Sequence, residues 1–236
     1  MTQISNEVFC EDFLLDFDIQ TKLLPNPYYD LPFLIIEDFF TQKECELINE
    51  IIKDDDDFEK AQVLIQEAVV TSKTNEKIRK TNIYKLDNIL LNLYNERFNS
   101  YQKQIEDYFK LAISSSTNVQ VLEYKKDSFY MMHSDDSSML FKDEKLVGFV
   151  PVTNERKVST VLFTTSCEDE IDKNSFQGGE LLFNFLYDIN GNQIKVKPKA
   201  GNMVVFLSNP YFTHEVLKVK QGRRISLVQW HNAIVN

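Results

Sequence analysis

The chain has 236 residues, 43% hydrophobic and 26% charged, which suits one soluble domain with a modest extension and excludes wholesale disorder. Its formal net charge of -10 opposes phosphate backbones and argues against nucleic-acid partners. With only 6 Gly and 6 Pro, collagen-like and Pro-rich readings fail too. The three Cys (Cys10, Cys45, Cys167) are widely spaced. They offer neither a disulfide framework nor a zinc pair, which fits a reducing interior. The first residues lack the pattern of a signal peptide, and apolar runs such as 203–207 are too short to cross a bilayer. A cytoplasmic protein without a membrane span is the expectation.

Residues 1–30 are acidic and aromatic and close with Pro25 and Pro27, so they read as an extension docking through Phe9, Phe13, Leu14 and Phe17. Residues 31–36 read as a short strand. Thr41 followed by Glu44 has the form of a capping box, and Leu47, Ile48, Ile51 and Ile52 continue at helical spacing, predicting a helix over 42–53. The acidic run Asp54–Asp57 reads as a solvated loop. Further helices are predicted over 87–98 and 101–112, with Ser114, Ser115 and Ser116 ending the helical part.

After Asn118 the pattern turns to short β-rich runs at 119–124, 128–135, 157–166, 180–185, 193–197, 203–207, 214–219 and 223–231. Turn signals at Gly178-Gly179, Asn190-Gly191, Ala200-Gly201 and Gln221-Gly222 separate several of them. The expected fold is α+β and mainly β: a double-stranded β-helix (jelly roll) braced by N-terminal helices. The expected organisation is an extension (1–30), a helical support region (31–118) and a jelly-roll core (119–236).

Among the three His, His133 has Asp135 two residues on, so in a strand both side chains leave one face. With a second imidazole from another strand they would form the two-His, one-carboxylate triad of non-haem Fe(II) oxygenases. The pair alone is weak evidence, since a lone strand His is more often structural. The last strand strengthens it. Alternation puts Arg224, Ser226, Val228 and Trp230 on one face and Arg223, Ile225 and Leu227 on the other. An inward Arg needs an anionic partner. A substrate carboxylate gripped bidentately would serve, and so would an internal Asp or Glu. Trp230 is expected to pack in the core. His231, one step out of phase, is expected to face solvent. Asp136 is expected on the face opposite Asp135 and to be dispensable for a metal.

Several motifs carry a family resemblance over about residues 31–232. They are Phe129-Tyr130-Met131-Met132-His133-Ser134-Asp135, Arg156 with the strand after it, Gly178-Gly179-Glu180-Leu181, Pro198 to Phe206, and His214 through Trp230. In this order the chain resembles the Fe(II)/2-oxoglutarate-dependent dioxygenases, specifically prolyl-4-hydroxylase-like and PKHD-type hydroxylases. The resemblance implies that His133, Asp135 and His214 hold Fe(II), and that Arg224 rather than Arg223 binds the far carboxylate of 2-oxoglutarate. It implies a cosubstrate pocket lined by Tyr124, and ascorbate as a helper. A Tyr that several prolyl hydroxylases place near that carboxylate falls here on Phe163, so Ser226 or a water would take its role. The loop before the His lacks Gly, and 136–155 is longer than the compact family form, which leaves the substrate open.

The implied reaction consumes dioxygen and 2-oxoglutarate, releases succinate and CO2, and hydroxylates an aliphatic C–H on a prolyl or other amino-acid side chain. Hydroxylation of a free metabolite and a non-catalytic metal or 2-oxoglutarate sensor stand as alternatives. Glu180 is expected to be structural. Phe129, Tyr130, Met131 and Met132 lie beside the metal strand, and some of them are expected to line the substrate mouth.

Overall fold

The computed structural model describes residues 1–17, 19, 30–54, 58–60, 63–66, 70–73 and 78–235. Pro25, Pro27 and Asp55–Asp57, named above, lie outside the described residues. Two antiparallel sheets face one another in a jelly roll. One runs, in spatial order, Leu34–Ile36, Met203–Leu207, Val158–Phe163, Arg224–Val235, Gln120–Tyr124, Asn82–Tyr84 and Glu59–Lys60. The other runs Thr2–Gln3, Phe9–Cys10, Leu181–Tyr187, His214–Val216, Phe129–His133 and Arg79–Lys80, with Gln193–Val196 beside Leu181–Tyr187.

Local chemistry sets the helices. Helix Gln42–Asp54 starts at the expected capping box: the Thr41 amide donates to Glu44 Oε2 (2.6 Å) and the Glu44 amide to Thr41 Oγ1 (3.3 Å). The two helices expected over 87–112 are one, Asn88–Phe109. Asp87 caps it by accepting from the Leu90 amide at 2.8 Å. Neither Asn99 nor Ser100 breaks it, because buried Leu90, Tyr94, Phe98 and Ile105 continue one apolar stripe through that point. It ends instead at Lys110, in the left-handed region at φ 55.

Leu111–Ser116, expected as helix tail and loop, is a strand. The C-terminal strand runs on to Val235, four residues past its expected end, and gives that segment a partner from Leu111↔Val235 to Ser116↔His231. Tertiary pairing overrides a weak local preference here. The run expected at 214–219 is also divided. His214–Val216 stays in the second sheet, and Val219–Gly222 pairs with Ser175–Gly178.

The N-terminal segment adds an edge to the second sheet, with Phe9 opposite Tyr187 and Cys10 opposite Leu186. Leu14 is buried, and Phe13 packs edge-on to Phe185. Residues 136–155 hold a hairpin, Ser137–Lys142 with Lys145–Pro151, turned by Asp143 and Glu144 at φ 49 and 63. Phe17 contacts Phe149 of that hairpin edge-on. Among the described residues no helix is long and apolar enough to cross a membrane.

His231 corrects the sequence reading. It is out of phase with Trp230, yet helix Asn88–Phe109, not water, covers that face, and His231 is 0% exposed. Its ring stacks on Phe98 at 4.5 Å. Nδ1 sits 2.7 Å from Ser116 Oγ and Nε2 3.2 Å from Thr160 Oγ1. Burial pushes its pKa down to about 3. The unfolded chain binds this proton near pH 6.5 and the folded chain does not, so stability is lost as pH falls from about 6.5 toward 3, by up to about 1.4 kcal/mol per unit. Replacing His231 with Gln is expected to flatten the pH dependence of urea unfolding between pH 6 and 4. An unchanged slope would show that the imidazole takes up no proton on unfolding.

Candidate active site

The two sheets enclose a cavity of about 720 Å³ whose lining includes His133, Asp135, His214, Tyr124, Arg224 and Ser226. His133 ends strand Phe129–His133 and His214 begins strand His214–Val216. The two are direct cross-strand partners, and their ring centroids are 4.3 Å apart. One donor atom from each of His133, Asp135 and His214 lies within 4.8 Å of the others.

Each imidazole is turned by its own chain. His133 Nδ1 lies 2.9 Å from the Met131 carbonyl and His214 Nδ1 2.8 Å from the Phe212 carbonyl. A carbonyl can only accept, so each Nδ1 carries the proton and each Nε2 keeps a lone pair. His133 Nε2 is 3.6 Å from Asp135 Oδ1. The other carboxylate oxygen, Oδ2, accepts from Ser159 Oγ at 2.6 Å.

Asp135 reaches this place by another route than uninterrupted strand alternation. The strand ends at His133. Ser134 Oγ then donates to the Ser208 carbonyl (3.1 Å), the Asp136 amide donates to the same carbonyl (3.2 Å), and Arg156 donates to the Asp135 carbonyl (3.1 Å). Asp136 stays out of the three-donor cluster. Its Oδ1 accepts from Ser134 and Ser137, and burial pushes its pKa up to about 6.

Burial first, then the neighbouring His214, pushes His133 down to about 3. Burial alone would raise Asp135, but His214, His133, the Ser159 hydroxyl and Arg156 outweigh it and hold the carboxyl below its ordinary value. At neutral pH the cluster therefore presents one carboxylate and a neutral His133. Two imidazole nitrogens and one carboxylate oxygen on one side of an open cavity suit a divalent first-row metal, and Fe(II) in particular. The hydrogen-bonded Nδ1 atoms and Oδ2 supply the outer support that such ligands need.

Arg224 is 1% exposed. Its Nε donates to the Gly179 carbonyl (2.9 Å) and an Nη to Ser226 Oγ (3.0 Å). Its guanidinium carbon stands 4.9 Å from the Tyr124 ring and 5.2 Å from the Phe163 ring. Among the described residues no carboxylate pairs with it, so none of them is the internal partner. Burial lowers its pKa. Arg223 points the other way, onto buried Glu123 at 2.5 Å. The two arginines leave opposite faces, as alternation expects, and the cavity face carries Arg224, Ser226, Val228 and Trp230. Trp230 lines the cavity as well as packing, with Arg156 stacked 4.0 Å over its ring. Of the four residues expected near the mouth, Tyr130 and Met132 line the cavity.

Some participants escaped the sequence reading. Ser159 is an ordinary strand serine until the fold sets it against Asp135. Arg79 comes from a two-residue strand, Arg79–Lys80, with no local pattern to mark it.

Residues 119–232 match the family model described as 2OG-Fe(II) oxygenase superfamily. The chain carries a 2OG-Fe(II) oxygenase domain. This match, together with the shared fold of solved structures, supports a 2-oxoglutarate-dependent dioxygenase, and the matched family implies Fe(II) as metal with 2-oxoglutarate and dioxygen as cosubstrates. Solved structures share the fold. A Pseudomonas putida prolyl-4-hydroxylase is 22% identical, with TM-score 0.59 over 85% of this chain and 92% of that one. A Trichoplax adhaerens prolyl hydroxylase, solved with a hypoxia inducible factor peptide fragment, is 16% identical, with TM-score 0.61 over 85% and 83%. The viral collagen prolyl hydroxylase of Paramecium Bursaria Chlorella virus-1, solved with 2OG, is 19% identical, with TM-score 0.54 over 86% and 97%. No curated protein sequence matches the chain.

Gly179 links the turn to the oxygenase pocket. Its φ is +66, and an added Cβ would meet Phe176, Val219 and Arg224 Cδ at 3.0 to 3.1 Å. Gly179→Ala is expected to cost roughly 1–3 kcal/mol. Urea unfolding checks this; an unchanged midpoint would show that the turn relaxes freely.

Proposed function

We propose that His133, Asp135 and His214 hold Fe(II), that Arg224 and Ser226 bind the far carboxylate of 2-oxoglutarate, and that the enzyme hydroxylates an aliphatic C–H on a prolyl or other amino-acid side chain. The observation carrying this reading is the buried Arg224 guanidinium, without a carboxylate partner among the described residues, in the same cavity as the three-donor cluster. A buried cation of that kind calls for a bound anion.

The chain's own groups divide the work. The Met131 and Phe212 carbonyls hold the imidazoles so that Nε2 faces the metal position. Ser159 keeps one Asp135 oxygen occupied, which leaves the other for the metal. Tyr124 and Phe163 wall the Arg224 guanidinium with aromatic faces and strengthen its grip by excluding water. Tyr130, Met132 and Trp230 give the open side an apolar lining suited to an aliphatic target. Bound in this frame, the iron would supply the oxidising chemistry by which dioxygen gives one oxygen atom to the C–H and the other to succinate as 2-oxoglutarate loses CO2. Ascorbate would serve as a reductant that keeps the iron divalent.

The decisive experiment is anaerobic titration with Fe(II) and 2-oxoglutarate, followed by a succinate assay in air. Stoichiometric binding with succinate release supports an oxygenase. Binding with no turnover on any Pro-containing peptide or free amino acid would favour a sensor instead.

Within this reading Asp135→Ala is expected to abolish 2-oxoglutarate turnover and Asp136→Ala to spare most of it, though with lower stability because Ser137 loses its acceptor while Ser134 keeps the Ser208 carbonyl. Equal losses of turnover would contradict the assignment. Arg224→Ala removes a buried charged contact worth on the order of 2–5 kcal/mol, and the 2-oxoglutarate requirement should rise about thirtyfold or more. Arg223→Ala should instead lower the melting temperature, because Glu123 stays buried, and leave that requirement nearly unchanged. Steady-state kinetics beside thermal melts separate the two.

A further inference from the structure

The cavity is cationic in a protein whose formal net charge is -10. Three arginines line it: Arg79, Arg156 and Arg224. Two have occupations already. Arg224 faces the cosubstrate position in the reading above. Arg156 donates to the Asp135 carbonyl and lies on Trp230.

Arg79 is different. It is 7% exposed, and its buried Nε has no hydrogen-bond partner. Its guanidinium carbon stands 4.5 Å from the centre of the Tyr130 ring, and no carboxylate pairs with it among the described residues. Of the two acidic residues in the lining, Glu59 pairs with Lys85 at 3.4 Å and Asp135 belongs to the three-donor cluster. The Tyr130 ring that carries Arg79 also stacks on His133 at 3.6 Å. An unpaired cation thus stands next to the aromatic ring that touches the reacting centre.

A cation–π contact recovers only part of what a buried guanidinium loses on leaving water. A carboxylate matches its fork and its charge. We infer that Arg79 is a specificity residue that binds a carboxylate of the primary substrate, so that the enzyme acts on a C–H beside an anionic group. This rests on the reading of the site given above. The carboxylate has two sources, the free α-carboxylate of an amino acid or an acidic side chain next to the target in a peptide.

The test uses the full chain loaded with redox-silent Mn(II) and 2-oxoglutarate, so that Arg224 is already engaged. Calorimetry compares N-acetyl-L-proline with N-acetyl-L-prolinamide, and acetyl-Pro-Glu-amide with acetyl-Pro-Gln-amide. At least one carboxylate should bind roughly tenfold or more tightly than its amide, as expected for one charged contact. The pair that discriminates names the source. Arg79→Gln should erase the preference, and Arg79→Lys should keep part of it, with thermal melts confirming folded protein. Equal binding of acid and amide, binding of neither pair, or a preference that survives Arg79→Gln would overturn the inference. If Arg79→Gln does not fold, the lysine variant decides: an undiminished preference overturns the inference, and a weakened one supports it. Failure of the broader reading has its own signature, the absence of Mn(II) and 2-oxoglutarate binding before any probe is added.

Discussion

The site depends on one constraint: His133 and His214 are opposite partners on neighbouring antiparallel strands. That register puts two imidazoles side by side with no contribution from flexible loops. Each ring is then locked by a carbonyl two residues before it in its own chain, Met131 for His133 and Phe212 for His214. Register fixes position and the local hydrogen bond fixes orientation. A one-residue slip would send one imidazole to the opposite face, so the three-donor cluster and the strand pairing stand or fall together.

The rest of the site hangs from this pair by polar contacts that cross between elements. The Ser208 carbonyl anchors the turn after His133, and Ser159 from the neighbouring sheet holds the Asp135 carboxylate. The Gly178-Gly179 turn, with both φ values positive, brings a carbonyl against Arg224. The surroundings stiffen these contacts further. Helix Asn88–Phe109 covers the outer side of the long C-terminal strand whose inner side carries Arg224 and Ser226. The N-terminal segment extends the sheet that holds both histidines, and its Phe17 reaches the hairpin beside the cavity. Burial in this braced pocket makes the guanidinium an effective anion receptor, since little water competes for it.

The sequence by itself determined the parts that rest on short-range rules. The capping box at Thr41 and Glu44, the strand alternation that separates Arg224 from Arg223, and the positive-φ glycines before Glu180 all depend on neighbours a few residues apart. The order of His133, Asp135, His214 and Arg224 pointed to the chemistry proposed above, because those side-chain types have few other joint uses. Tertiary structure decided what depends on packing between distant segments. It made Leu111–Ser116 a strand by offering the tail of Arg224–Val235 as partner, and it buried His231 by laying a helix on a face that alternation alone left open. It also chose Ser159 to steady Asp135 and left Arg79 beside Tyr130 without a carboxylate partner among the described residues, since a serine or an arginine in a strand acquires its partner only when the sheets close.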